Sequence, residues 1–289
     1  MLGGSDRVAH KILSTCQKSK NFLIAADHLE FRIKNTKQKV LDDLRNSSNH
    51  LILDSGVLGA AKKGYREWMV DGVDKVPEWG NKIKADRIAH VDIPSEPHIL
   101  KMLGITVDEA RQITVDNAYK CLENKALDGK RIISVQGWNL DDRKECLELL
   151  WPALEQDREA WIGNGSTCML TPKTGLYKFY EWLCNELPDR HIHAWGIANP
   201  EWLVNLYRIG ISSADSGTAG FANGMNEEIN PLNGKRSKKG WVGKRDSFIS
   251  ALGFIRNMEA IEQSFERITE NDYLSYKKNG TSKQMTLFN

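Results

Sequence analysis

Paired cysteines are missing from this chain. Its five, at 16, 121, 146, 168 and 184, are odd in number, scattered and never spaced as C-x-x-C. That excludes a disulfide framework and a zinc finger, and fits a reducing, cytoplasmic setting. A charge bias is also missing: 40 Lys and Arg stand against 38 Asp and Glu. Any pull on an anionic partner must therefore come from local clusters. No apolar run approaches the roughly 18 residues of a membrane span. The first residues hold no apolar h-region, so neither a membrane contact nor a secretory leader is expected. Internal repeats and low-complexity tracts are absent. No His or Cys cluster has metal-ligand spacing, so metal-assisted hydrolysis is not expected. GNG at 163–165 lacks the Lys and Ser/Thr of a P-loop, and DSGVLG is no nucleophile elbow, which needs its serine between two glycines.

What is present is enough apolar residue, 40% of 289, for a sizeable core. Short β-like runs recur: FLIAA (22–26), HLILDSG (50–56), RIAHVDI (87–93), RIISVQG (131–137), EAWIGNG (159–165), HIHAWGI (191–197) and ISSADSG (211–217). Most are continuously apolar rather than alternating, as parallel strands covered on both faces require. Helical patterns lie between them. Thr106 and Glu109 make a capping box for a helix to about Ala126. Residues 141–155 place Cys146, Leu147, Leu150 and Leu154 at helical spacing, and Pro152 is expected to kink or end that helix. Asn199 and Pro200 read as N-cap and N1 of a helix that stops at Gly210, and a last helix is predicted from Ser247 to about Ile268.

Repeated strand–helix alternation implies βα units and a parallel sheet. An open doubly wound sheet confines its ligand residues to a switch point, whereas a barrel gathers all its strand ends around one mouth. Here Asp54, Asp92, Gln136, Asn164 and Asp215 each follow an apolar run, which favours an α/β fold of the (β/α)8 TIM-barrel type. One barrel domain is expected over 1–276, with a polar, mobile tail over 277–289. Its eighth strand is poorly defined, with only GFANGM and WVG as candidates in 218–245.

In such a barrel the five side chains face one another across a pocket. A lone strand-end aspartate reads about equally as a turn or cap carboxylate, but five at corresponding places weaken that reading. Paired carboxylates suit chemistry at a glycosidic carbon, one attacking an oxocarbenium-like centre while the other handles a proton. An aspartate, with an unperturbed pKa of about 3.9, is ionised for attack without an activating base. His191 and His193 flank one strand residue. With no third ligand in view they read as core or supporting residues.

HLILDSG, HVDIPSEP, SVQGW, WIGNG, HAWGIANPEWL and ISSADSG, together spanning about residues 50–217, resemble in order and spacing the strand ends of the tRNA-guanine transglycosylase superfamily. Those read Asp-Ser-Gly-Gly, an acidic turn, Val-Gln-Gly-Gly, Gly-Gly-Leu, Gly-Val-Gly before a Pro-containing helix start, and a final Asp. The resemblance implies Asp215 as the nucleophile that links to the sugar C1′ and Asp54 as the acid/base acting on the departing and incoming bases. It implies base recognition by Asp92 and Gln136, with Ser55 beside Asp54, and backbone from Gly137 and from Gly163 through Asn164 to Gly165. No redox or nucleotide cofactor and no metal is implied. The chain departs from the pattern at Val57, Trp138 and Asn164. It also has no cysteine after Cys184, so the family's zinc subdomain is absent. A smaller, zinc-free relative is most similar to the DNA-directed deazaguanine transglycosylases of the DpdA type in phages and bacteria, which implies a bacterial, archaeal or phage-infected host cell.

The implied partners are DNA, with tRNA as the alternative, and a 7-deazaguanine base such as 7-cyano-7-deazaguanine; a homodimer is possible for this family. A base must leave its stack to reach a barrel mouth. Two basic clusters sit where C-terminal-side loops would place them against phosphates: Lys62, Lys63 and Arg66, and Lys235, Arg236, Lys238, Lys239, Lys244 and Arg245 around Trp241. The run RIKNTKQK at 32–39 reads as a solvated face. Two rival readings are a zinc-free tRNA enzyme and a non-catalytic nucleic-acid-binding barrel; presence of both Asp54 and Asp215 disfavours the second. A glycosidase on free nucleosides or sugars would need no basic loops.

Overall fold

The computed structural model describes residues 11, 13, 15, 20–32, 38–167, 170, 175–197, 199–215, 227–232, 235–238, 255, 257–260, 262–264, 266 and 267. Seven strands form one sheet: β1 (Lys20–Ala25), β2 (Ser48–Asp54), β3 (Arg87–Ala89), β4 (Arg131–Val135), β5 (Trp161–Asn164), β6 (Ile192–Ala194) and β7 (Ser213–Ala214). Neighbours in sequence are neighbours in space, and every pair is parallel. A doubly wound sheet reverses its strand order at a switch point; this one never does. Each crossover therefore lays its helices on the same face, and the sheet curls with its other face turned inward.

The intervening helices are α1 (Ala26–Arg32), α2 (Gln38–Asn46), α3 (Val57–Lys62), α4 (Trp68–Lys82), α5 (Pro97–Leu103), α6 (Val107–Glu123), α7 (Leu140–Gln156), α8 (Leu176–Glu186) and α9 (Pro200–Ile209). Outward strand residues such as Leu51, Leu53, Ile88, Ile133, Val135 and Ile162 are buried under these helices. The alternate residues Ile52, Ala89 and Ile132 form a separate inner cluster with Leu23, Trp161 and Trp195. His50 of β2 stacks on Trp161 of β5 with ring centroids 5.4 Å apart. Strands three places apart in a flat sheet are separated by about 14 Å, so the stack reports the curl directly.

The capping box forms as expected, Thr106 Oγ1 accepting from Glu109 N while the Glu109 carboxylate accepts from Thr106 N. That helix ends at Glu123, and a short 3-10 turn over Lys125–Leu127 follows. Pro152 does not end α7, which runs on to Gln156. The proline lies on the exposed face, where water can serve the carbonyl it leaves unbonded. The start at Pro200 and the stop before Gly210, at φ 122°, agree with the sequence.

No eighth strand pairs with this sheet among the described residues; both GFANGM and WVG lie outside them, as does the tail at 277–289. Within 218–245 the structure instead has an antiparallel hairpin, β8 (Glu227–Ile229) and β9 (Arg236–Lys238), separate from the sheet. The described residues from 255 to 267 are helical. They reach the hairpin through Asn257 Oδ1, which accepts from Ile229 N, and the start of β1 through a Lys20–Glu262 ion pair.

Candidate active site at the strand ends

Asp54 is the last residue of β2, on the same side as inward-facing Ile52, and its Oδ2 accepts from Gly56 N at 3.2 Å. This closes the Asp-Ser-Gly turn. Glycine is required at 56: φ is +77°, and a Cβ would lie 2.6 Å from the backbone nitrogen of Asp27. Asp27, just past the end of β1, is buried and paired with Lys63 at 2.5 Å. It is a fourth strand-end carboxylate that the sequence reading overlooked, although the run FLIAAD displays it.

Asp92 is the centre of a bonded cluster. Its Oδ1 accepts from Ser55 Oγ at 3.1 Å and its Oδ2 from Gln136 Nε2 at 2.5 Å. Gln136 Oε1 in turn accepts from Ser166 Oγ at 2.6 Å. The loop carrying Asp92 is pinned by Asn117 Nδ2, which donates to Val91 O at 3.0 Å. The segments that follow β2, β3, β4 and β5 are thereby joined.

Asp54, Asp92 and Asp215 come from widely separated parts of the chain, yet the charges of the last two bear on the first. Desolvation first, then the charges of Asp92 and Asp215, push the Asp54 carboxyl up to about 7. The Gly56 N–H works against that rise, and Asp27 adds to it. Asp215 follows β7 directly; its nitrogen donates to Ala194 O at 3.2 Å and its Oδ1 accepts from Gly196 N at 2.8 Å. His193 Nε2 stands 3.5 Å from that same oxygen.

The glycines of the fifth strand have steric reasons. A Cβ on Gly163 would meet Trp195 Nε1 at 2.3 Å, and one on Gly165 would meet Gln136 Nε2 at 2.2 Å. Gly137 lies as close to the first turn of α7, where a Cβ would sit 2.6 Å from Arg143 N. The Asn164 side chain is wholly buried, and its Oδ1 is taken by Arg143 Nη1. Its amide is therefore turned to the helix layer, unlike the pocket-facing role implied for this position. Gln136 too has both amide ends engaged, so it holds Asp92 rather than standing open. Trp138 packs against the helix-layer core.

Arg143, fully buried, also donates to Gly165 O at 2.9 Å and to Ser166 O at 3.3 Å, and lies 4.4 Å over the Phe179 ring. Burial lowers its guanidinium to about 10. It ties α7 to the loop that orients Gln136. The sequence carried the signal, because Arg143 continues the stripe of Cys146, Leu147, Leu150 and Leu154.

The basic residues divide. Lys62 is exposed at the end of α3, whereas Lys63 is committed to Asp27 and Arg66 Nη2 donates to Met102 O at 2.9 Å. Lys235 and Arg236 are exposed on the β8–β9 hairpin, and Lys238 stands opposite Glu227 in its register. Lys239, Lys244 and Arg245 lie outside the described residues. Among the described residues no helix is long and apolar enough to cross a membrane. In sequence, no family model and no curated protein matches this chain.

Proposed function

We propose that the protein is a base-exchanging pentosyltransferase that replaces guanine in DNA by a 7-deazaguanine through a covalent aspartyl-sugar intermediate. What supports this reading is a buried strand-end carboxyl flanked by two more: burial first, then the charges of Asp92 and Asp215, raise Asp54 to about 7. A carboxyl at that value can both give and take a proton near neutral pH.

Asp215 attacks C1′ as the bond from C1′ to the base breaks, and Asp54 gives its proton to the departing guanine. The incoming base then attacks C1′, passes its proton to Asp54, and frees Asp215. Atoms and charge balance over the two halves. Asp92, held by Ser55 and Gln136, offers its remaining lone pairs to the paired N–H donors of a guanine-like edge. Exposed Lys62, Lys235 and Arg236 suit the phosphates of a strand whose target base has been flipped out. DNA is preferred to tRNA on the resemblance to the DNA-directed branch of the superfamily.

The test is incubation with labelled guanine and either DNA or tRNA, followed by a denaturing gel. Label is expected in DNA, with a covalent adduct that Asp215→Asn abolishes. Survival of the adduct in that variant would remove Asp215 from its role, and label in tRNA alone would reject the DNA assignment.

A further inference from the structure

Behind Asp215, three polar side chains fall in single file. His191 Nε2 lies 2.7 Å from Ser213 Oγ, and His193 Nδ1 lies 2.8 Å from the same oxygen. His193 Nε2 then faces Asp215 Oδ1 at 3.5 Å. The strands dictate this order. Residues 191 and 193, like 213 and 215, alternate along a strand and so share one face. The parallel register of β6 and β7 sets His193 beside Ser213.

A single hydroxyl proton between two imidazoles imposes a direction. Ser213 donates to one ring and must accept from the other. His193 Nε2 is buried and has no hydrogen-bond partner. A bare lone pair there would oppose the carboxylate, whereas an N–H is drawn to it. His193 therefore carries its proton on Nε2, its Nδ1 accepts from Ser213, and Ser213 accepts from His191 Nε2–H. Burial, with His193, Arg87 and His50 nearby, lowers His191 to about 4, so that ring is neutral at physiological pH and donates once. Trp161 stacks on His191 at 3.6 Å, and Trp195 packs edge-on against His193 at 4.3 Å, which fixes both rings.

We propose that His193 is a positioning residue for Asp215, with its Nε2–H aimed by Ser213 and His191, and that it closes onto Oδ1 when the sugar binds. This rests on the reading of Asp215 as the attacking group. Hydrogen bonds at such centres are often long before substrate arrives and tighten afterwards. Oδ1 already accepts from Gly196 N, so a second donor makes Oδ1 the oxygen the protein holds and Oδ2 the one that bonds to C1′. In the first half, the Oδ2–C1′ bond forms while the base departs with the electron pair of its own bond and the proton of Asp54. In the second half, the Oδ2–C1′ pair returns to the carboxylate, where both donors stabilise the recovered charge.

Two kinds of measurement test this. Nitrogen-15 NMR of the free protein reads the ring tautomers without any substrate. His193 is expected as Nε2–H with an accepting Nδ1, and as a mixture in Ser213→Ala; an Nδ1–H tautomer in the unsubstituted protein overturns the proposal. In the adduct assay, His193→Leu is expected to slow formation and turnover of the adduct by about ten- to a hundredfold, the scale of one hydrogen bond to a charged group, and Ser213→Ala to slow both by less, in proportion to the Nε2–H tautomer it gives up. The nucleic-acid concentration at half-saturation should not move, and unchanged rates overturn the proposal. His193→Gln, which keeps an amide donor, is expected to retain more rate than His193→Leu, and equal losses count against the role. The expected tautomer with no adduct from the unsubstituted protein would instead sink the chemistry assigned to Asp215, and this role with it.

Discussion

Asp54 illustrates how one side chain can be both costly and useful. Its carboxyl rises from 3.8 to about 7 because the folded protein desolvates it and surrounds it with like charge. The folded state therefore holds this proton more tightly than the unfolded chain does. The associated stability is fully present below about 3.8 and is lost as pH rises through about 7, on the order of 4 kcal/mol at full ionisation. Asp54→Asn, neutral and nearly isosteric, is expected to melt at a higher temperature than the parent near pH 8, and at the same temperature at about pH 4. Equal melting at both would mean that the carboxylate carries no desolvation penalty. The same residue shows what Asp-Ser-Gly does after β2: the aspartate ends the strand while the glycine turns left-handed against Asp27. In Asp215-Ser-Gly the residues after the aspartate lie outside the described ones, so the parallel stops there.

At the scale of elements, α7 is the informative case. Its Pro152 forfeits a hydrogen bond to the carbonyl of Glu148 but lies on the solvent face, so the helix continues. Pro152→Ala restores the missing donor and is expected to stabilise the protein by about 1–3 kcal/mol in denaturant titration; a loss of stability would show that the ring packs against something the helix needs. Strand identity and order were legible in the sequence because buried parallel strands are written as unbroken apolar runs. The strand-end aspartates were legible for the same reason, since HLILDSG, RIAHVDI and ISSADSG each carry an aspartate at or just past the apolar run. Asp27 escaped because α1 starts at Ala26, leaving no turn to mark the end of β1. The partners of Lys63 and Arg66 were not legible, as both lie 36 residues away in sequence and meet their cations only through the fold. That no Cβ fits at Gly163 or Gly165, where Trp195 and Gln136 stand in the way, is a packing demand that only the folded chain reveals.

For the whole molecule, near-neutral net charge means that the proposed binding of a polyanion would rest on a few local cations. Replacing Lys235 and Arg236 by Ala is expected to lower the slope of log affinity against log salt by about one for each phosphate no longer neutralised. An unchanged slope in fluorescence titrations would place the nucleic acid elsewhere on the surface. The curled sheet has its own weak margin. Among the described residues β7 is two residues long and bonded only to β6, yet Asp215 rides at its end. If the proposed chemistry holds, the last rung of the ladder is expected to slip while the remaining strands keep their shape, so that heat would abolish adduct formation at a lower temperature than it unfolds the sheet.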